Sequence, residues 1–101
     1  MILELSLEDV VKKVSETTNV SLKLIVGPSR RRELVKTRHL AMYLCRELTN
    51  NTLTSIGLFF GGRDHTTVIH ACGKVEKVYK KKTAVTKFIN QISRNLSVAN
   101  F

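Results

Sequence analysis

The segment from Gly61 to Cys72 reads Gly-Gly-Arg-Asp-His-Thr-Thr-Val-Ile-His-Ala-Cys, and it decides the fold of this chain. Its two glycines permit a sharp turn, and the polar residues after them begin a long helix that we expect to end near Lys81. A shorter, apolar helix is predicted over residues 53–60. A short helix, a glycine turn and a longer helix with a polar start are typical of a helix-turn-helix, here at about residues 53–81.

Helical geometry divides the second helix into two faces. With Thr66 as the origin and about 100° per residue, the polar and cationic side chains fall within an arc of about 100°. This arc contains Arg63, Thr67, His70, Lys74, Lys77 and Lys81. The opposite, apolar set contains Val68, Ile69, Cys72, Val75 and Tyr79. We therefore expect one face to lie in the core and the other to suit base edges and phosphates.

The start of this helix leaves two roles open. Asp64 is placed either to cap the helix or to accept a hydrogen bond from a cytosine amino group. His65 falls toward the apolar side of the wheel, so packing competes with a role at the end of the helix. The hydroxyls of Thr66 and Thr67 can donate to phosphates, and their methyl groups can pack on thymine.

The remaining sequence predicts an all-α fold, because Gly is scarce, Pro occurs once and apolar residues recur at three- and four-residue spacing. A first helix is predicted over residues 7–17, with Ser6 and Asp9 as a capping box. Ser21 can cap a short helical turn, which residues 27–28 end because Gly favours a left-handed cap and Pro cannot continue a helix. A last helix is predicted over residues 83–97, after the Lys80 to Lys82 run, and the final four residues are expected to fray.

Three consecutive arginines, Arg30 to Arg32, are predicted to lie on a loop over residues 27–33. A solvated charge cluster is the usual meaning of such a run. The central core helix is predicted over residues 37–48. Its buried stripe contains Leu40, Ala41, Leu44 and Leu48, and its outward residues are Arg38, Arg46 and Glu47.

Composition limits the possible functions. The chain of 101 residues is the size of one domain, and 17 Lys and Arg against 8 Asp and Glu give a net charge of +9, which suits a polyanionic partner. No apolar run approaches the roughly 20 residues that span a bilayer, and the start lacks the pattern of a secretion signal, so we expect a cytoplasmic protein. Cys45 and Cys72 lack the paired spacing of a zinc site and are predicted to fill the core without any metal.

Two stretches resemble the C-terminal domain of the bacterial chromosomal replication initiators, the DnaA family. Residues 56–71, through the Gly-Gly-Arg-Asp-His-Thr-Thr run, resemble the family signature, and residues 38–49, Arg-His-Leu-Ala-Met-Tyr-Leu-Cys-Arg-Glu-Leu-Thr, resemble the preceding core helix. With the basic loop, the resemblance covers about residues 7–77. It implies a compact all-helical domain with a long recognition helix that binds repeated boxes in double-stranded DNA at the replication origin.

The resemblance also implies roles for individual residues. Base contacts in the major groove are expected from Asp64, His65, Thr66 and His70. Phosphate contacts are expected from Arg38, Thr67 and Lys74. The same role is predicted for Arg63, from its place on the polar arc, and for His39, which stands where other residues are common in the family. Arg30 matches the arginine that enters the adjacent minor groove, although Arg31 or Arg32 takes its place if the loop is shifted.

The chain departs from the family pattern at several positions. Gly73 stands where a longer side chain is usual, and it either permits close packing or weakens the helix. No stretch of the form G-x-x-x-x-G-K-[ST] is present, so we expect no cofactor here, and ATP only in the absent ATPase module. The chain is either a C-terminal piece of a longer initiator or a short homologue.

Two other function classes are compatible with parts of the sequence. A basic interaction module would dock acidic proteins, replication regulators or anionic phospholipids through the same charged face. An enzyme would use His65 or His70 beside Asp64 as a general base, but no nucleophile or metal constellation accompanies them, so no catalysis is predicted. The isolated domain is expected to be a nucleoid-associated monomer.

Overall fold

The computed structural model describes residues 5–81 and Gln91, with side chains up to Val78 and at Gln91. These residues form helices and no strand, which confirms the predicted all-α class. The helices are α1 (Leu7–Thr18), α2 (Leu22–Val26), α3 (Arg32–Leu48), α4 (Leu53–Phe59) and α5 (His65–Lys81). The predictions for residues 83–97 as a helix, for the lysines 80–82, for the side chain of Tyr79 and for the frayed end lie outside this description, apart from the helical Gln91.

Side-chain caps begin three of the helices, two of them at the residues that the sequence predicts, Ser6 and Ser21. The Oγ of Ser6 accepts from the backbone N–H of Asp9 at 3.0 Å, and the Asp9 carboxylate accepts from the N–H of Ser6 at 3.2 Å, which completes the predicted capping box of α1. The hydroxyl of Ser21 accepts from the N–H of Leu24 and caps α2, and the hydroxyl of Thr52 accepts from the N–H of Ser55 and caps α4. These bonds satisfy N–H groups that have no partner within their own helix.

Helix α2 ends at Gly27, but not by the expected left-handed cap. Gly27 has φ −78° and ψ −176°, an extended conformation, so that expectation is wrong. A Cβ at this position would lie 2.8 Å from the carbonyl oxygen of Lys23. The glycine is therefore needed for the close approach of the chain to the preceding turn.

Helix α3 begins at Arg32, five residues before the predicted start at residue 37. Its N-cap residue, Arg31, makes no side-chain capping bond, and the first buried side chain of the helix is Leu34. Arg32 and Glu33 therefore lie in the helix and not in the loop. The basic loop is correspondingly shorter than predicted.

Helix α3 forms the centre of the described fold and packs against each of the other four helices. Its fully buried residues Ala41, Met42 and Cys45 belong to the same core cluster as the α5 residues Val68 and Cys72. Both cysteines are buried free thiols, as predicted for core residues. Burial raises the pKa of Cys45 to about 12, so this thiol stays protonated at neutral pH.

Candidate nucleic-acid interface

The turn between α4 and α5 depends on three glycines. Gly61 and Gly62 adopt φ +80° and +77°, in the left-handed region that glycine tolerates best. Gly57, inside α4, is buried, and its carbonyl accepts from the backbone N–H of Arg63 at 2.8 Å. A Cβ at Gly57 would overlap the carbonyl oxygen of Arg63, so this glycine lets the turn fold back onto α4. This role of Gly57 is not among the predictions from the sequence, although a lone glycine within a helical pattern often signals close packing.

Helix α5 is divided much as the wheel predicts. Val68, Cys72 and Val75 are buried against the core, together with Ala71. The exposed residues of its first three turns are His65, Thr66, Thr67, Ile69, His70 and Lys74. Ile69 is 46% exposed, so the prediction that it anchors the helix to the core is wrong.

The first turn of α5 presents Asp64, His65 and Thr66 to solvent. The Asp64 Oδ1 accepts from the backbone N–H of Thr66 at 3.1 Å, as a capping residue does, and it lies 2.9 Å from Nδ1 of His65. The His65 side chain is 57% exposed, which contradicts the packing alternative. Asp64 therefore acts as a cap and remains accessible, so capping and a base contact are compatible.

The loop between α2 and α3 carries Arg30 and Arg31, both exposed. The Oγ of Ser29 accepts from the backbone N–H of Arg31 at 3.3 Å and helps to shape this short connection. A cleft of about 630 Å³ is lined by loop residues and by Arg38, Gly61 and Arg63. The cleft brings the loop next to the turn that precedes α5.

Arg38 is predicted to face outward, but the structure buries it, with only 4% of its surface exposed. Its guanidinium donates to three backbone carbonyls, with 2.7 Å from Nε to Ile25, 2.9 Å from Nη1 to Ser29 and 3.3 Å from Nη2 to Leu24. These bonds explain how a cation is accommodated in the interior, because each of the three guanidinium nitrogens has a carbonyl acceptor. The prediction that Arg38 faces outward from the core helix is therefore wrong.

Arg63 also turns back toward the protein and does not project outward from α5. Its Nη2 donates to the carbonyl of Gly27 at 2.8 Å, and its Nη1 donates to the carbonyls of Val26, at 3.3 Å, and Phe60. The side chain is partly buried. Arg63 thus connects the basic loop to the turn of the helix-turn-helix.

His39 is partly buried on α3, within reach of the charges of α5 and of the two arginines. Burial lowers the pKa of His39, and the positive charges of Lys74, Arg38 and Arg63 lower it further. The imidazole is therefore neutral at physiological pH. The exposed Lys74 of α5 is therefore near His39 of α3.

The depressed pKa of His39 predicts that the domain loses stability in mild acid. The unfolded chain takes up a proton near pH 6.5 while the folded protein resists it, so the free energy of unfolding should fall as pH drops below about 6.5. Chemical denaturation at several pH values from about 7 to 5 measures this slope. The variant His39→Asn should show a shallower slope, and equal slopes for the two proteins would contradict the prediction.

Within the described residues, no helix combines the length and apolar composition that crossing a bilayer requires. Among the residues that the structure describes, no three His, Cys, Asp or Glu side chains lie together in a group that could hold a metal ion. What the described residues do assemble is a short helix, a glycine turn and a long helix with an exposed polar face, beside a loop of arginines. This arrangement defines a helix-turn-helix of the DNA-binding class.

Comparison with known proteins identifies the family. Residues 7–75 match the family model described as the bacterial dnaA protein helix-turn-helix, and the chain belongs to this family. It is 38% identical to the chromosomal replication initiator protein DnaA of Ruegeria sp. strain TM1040 over 93 residues. The matched region is 92% of this chain and 20% of that relative. The initiator of Enterococcus faecalis is 40% identical over 94 residues, covering 93% and 21%. The chain thus spans about a fifth of the length of these relatives.

Proposed function

We propose that this domain binds double-stranded DNA sequence-specifically at repeated boxes of a bacterial replication origin and performs no catalysis. The relatives are named chromosomal replication initiators, which supports a role at the origin. The observation that carries the proposal is the exposed face of α5 at the end of a glycine turn, next to the loop of Arg30 and Arg31. A helix of this kind fits the major groove, and its polar side chains suit base edges.

The roles that we propose follow the exposure of each side chain. Base contacts in the major groove come from Asp64, His65, Thr66 and His70. The exposed Ile69 adds an apolar contact of the kind that suits a thymine methyl group. Arg30 enters the adjacent minor groove, whose negative potential attracts a guanidinium.

Phosphate contacts are proposed for Thr67, Lys74, His39, Arg38 and Arg63. The first two are exposed on α5 and can reach a phosphate directly. Arg38 and Arg63 can do so only with N–H groups that are not already bonded to carbonyls, since each guanidinium has five. The cleft that both arginines line is the route by which a phosphate oxygen would approach them.

We also propose that residues 1–101 act as one monomeric domain in the cytoplasm, bound to the nucleoid. ATP binding then belongs to the ATPase module of a full-length initiator, whereas replication regulators and acidic phospholipids are further partners that we propose for this domain. The net charge of +9 is consistent with attraction to DNA phosphates over the whole surface.

A binding titration on an origin-box duplex and on a scrambled duplex of the same composition tests the proposal at physiological salt. Specific binding should exceed nonspecific binding by at least about 4 kcal/mol. Equal affinities would contradict the proposal. An acidic protein or an anionic vesicle that binds more tightly than the box would favour the alternative, a basic interaction module.

Two variants on α5 should separate base contacts from phosphate contacts. His70→Ala should reduce the preference for the box by about 1 to 3 kcal/mol, because it removes a contact that depends on the base. Lys74→Ala should weaken binding to all duplexes similarly and reduce the salt slope by about 1. Lys12→Ala removes an exposed lysine of α1 and serves as the control, with little change expected in either quantity. The assignment would be contradicted if Lys74→Ala reduced the preference for the box and His70→Ala did not.

A further inference from the structure

The five-residue helix α2 ends in a way that leaves its last carbonyls without backbone donors from the following loop. The chain leaves α2 at Gly27 in an extended conformation, and the next residue, Pro28, has no N–H. The hydrogen bonds that usually close a helix C-terminus come from the N–H groups of the two residues after the cap, here Pro28 and Ser29. Pro28 has no N–H, and neither Gly27 nor Ser29 donates a backbone bond to the end of α2. Another source of donors is therefore needed for this end of the helix.

Two arginines distant in sequence supply these donors. Arg38, from α3, binds the carbonyls of Leu24 and Ile25 and continues to Ser29 in the loop. Arg63 binds the carbonyls of Val26 and Gly27. Four consecutive carbonyls, from residues 24 to 27, are thus held by two guanidinium groups, which we call the arginine clamp. Cations at a helix C-terminus also interact favourably with its dipole.

The clamp connects two elements that contact DNA in the proposed function. The third carbonyl bound by Arg63 is that of Phe60, at the start of the glycine turn, and Arg63 itself stands two residues before α5. On the other side, the clamp holds the residues just before Arg30. The link therefore runs from the loop, through one side chain, to the start of the recognition helix.

We propose that Arg38 and Arg63 are positioning residues, which hold the Arg30 loop in a fixed register with α5 so that one domain engages the minor and the major groove together. This inference rests on the proposed function. It assigns to the two arginines a role that a phosphate contact alone does not include. Without the clamp, α5 stays packed on the core through Val68 and Cys72, whereas the loop loses its attachment.

The charges at this site agree with a positioning role. Among the described residues, neither Arg38 nor Arg63 forms an ion pair with a carboxylate. Burial lowers the pKa of Arg38, and the nearby positive charge of Arg63 lowers it further. The two like charges are thus held close together by hydrogen bonds to backbone carbonyls, which need donors at fixed positions.

The variant Arg63→Lys tests the proposal because it keeps the charge and loses the planar array of donors. We would measure binding to box duplexes that carry an inosine·cytosine or a guanine·cytosine pair at the flanking minor-groove position. These pairs are identical in the major groove and differ by the guanine 2-amino group in the minor groove. The wild-type domain should prefer the inosine duplex by about tenfold, and Arg63→Lys should bring the ratio close to one.

The same variant should also loosen the loop in the DNA-free protein. Amide hydrogen exchange over residues 27–31 should accelerate by about tenfold in Arg63→Lys, while exchange in the buried part of α5 stays at the wild-type rate. Arg46→Lys is the matched control, because Arg46 pairs with Glu76 across α3 and α5 and takes no part in the clamp. This control should leave both the exchange rates and the duplex ratio unchanged.

The two measurements separate the possible outcomes. If Arg63→Lys keeps the wild-type loop exchange and the wild-type duplex ratio, Arg63 is not a positioning residue, and any lost affinity reports a phosphate contact only. If the wild-type domain prefers the box over scrambled DNA but does not distinguish the inosine and guanine duplexes, specific binding of the box stands, whereas the minor-groove role of Arg30 and the inference both fail. If the wild-type domain shows no preference for the box, the proposed function fails, and with it the functional part of the inference. The hydrogen exchange of residues 27–31 then still tests whether Arg63 holds the loop in place.

Discussion

Replacing Gly57 by alanine is expected to lower the free energy of unfolding by at least about 3 kcal/mol. The new methyl group would overlap the carbonyl oxygen of Arg63 and would lie 3.1 Å from its carbonyl carbon. Both are backbone atoms, so no side-chain rotation relieves the overlap. The turn would have to move away from α4, which also breaks the bond from the Arg63 N–H to the Gly57 carbonyl.

Chemical denaturation of Gly57→Ala and Gly73→Ala provides a matched comparison. A Cβ at Gly73 has no atom within 4 Å, so the structure excludes close packing as the reason for this glycine. Gly73→Ala should therefore raise the free energy of unfolding by up to about 1 kcal/mol, because alanine is the better helix former. The explanation given for Gly57 would be wrong if both variants were stabilised.

Replacing Arg38 by leucine is expected to cost about 3 kcal/mol or more of folding free energy. The change keeps an apolar stem but removes the donors to the carbonyls of Leu24, Ile25 and Ser29. Hydrogen bonds to a charged group contribute about 1.5 to 3 kcal/mol each, and a buried carbonyl without a donor carries a further penalty. Relief of repulsion from Arg63 offsets only part of this loss.

The control for Arg38 is Arg32→Leu, which removes an exposed arginine from the same helix. Its effect on the free energy of unfolding should stay within about 0.5 kcal/mol. A similar, small effect for Arg38→Leu would show that its three hydrogen bonds contribute little to stability. The clamp at the end of α2 would then need another explanation.

The helix boundaries that the sequence predicts well are those set by local chemistry. Ser6, Ser21 and Thr52 each accept from a backbone N–H three residues later, and a pattern of that length is visible in the sequence. The start of α3 is predicted too late because Arg31 provides no such cap and the polar run after it hides the helical period. A helix without a side-chain cap begins where tertiary packing allows, and the sequence alone contains little information about that position.

The candidate site is predictable where exposure follows from position on a single helix. Thr66, His70 and Lys74 are exposed, in agreement with the wheel. Ile69 lies only about 60° from Thr66 on that wheel, so its apolar character and not its angle led to the wrong assignment to the core. The first turn of a helix is less predictable. The wheel places His65 toward the apolar side, yet its side chain is 57% exposed.

Arg38 and Arg63 were misplaced for a different reason. Charge is normally a guide to exposure, and it fails when distant carbonyls provide enough acceptors to accommodate a buried cation. The acceptors of Arg63 at Val26 and Gly27 lie 37 and 36 residues away in the sequence. No local pattern contains that information, whereas the role of Gly57 leaves at least the signal of a glycine within a helix.

The end of α2 also implies an order of events during folding. A five-residue helix is too short to persist alone in water, because a single turn barely compensates for the entropy of nucleation. Its C-terminal donors arrive only when α3 and the turn before α5 are already in place. We therefore expect the Arg30 loop to acquire its structure late, after the recognition helix has docked on the core, so that a newly made chain becomes competent for the major groove before the minor groove.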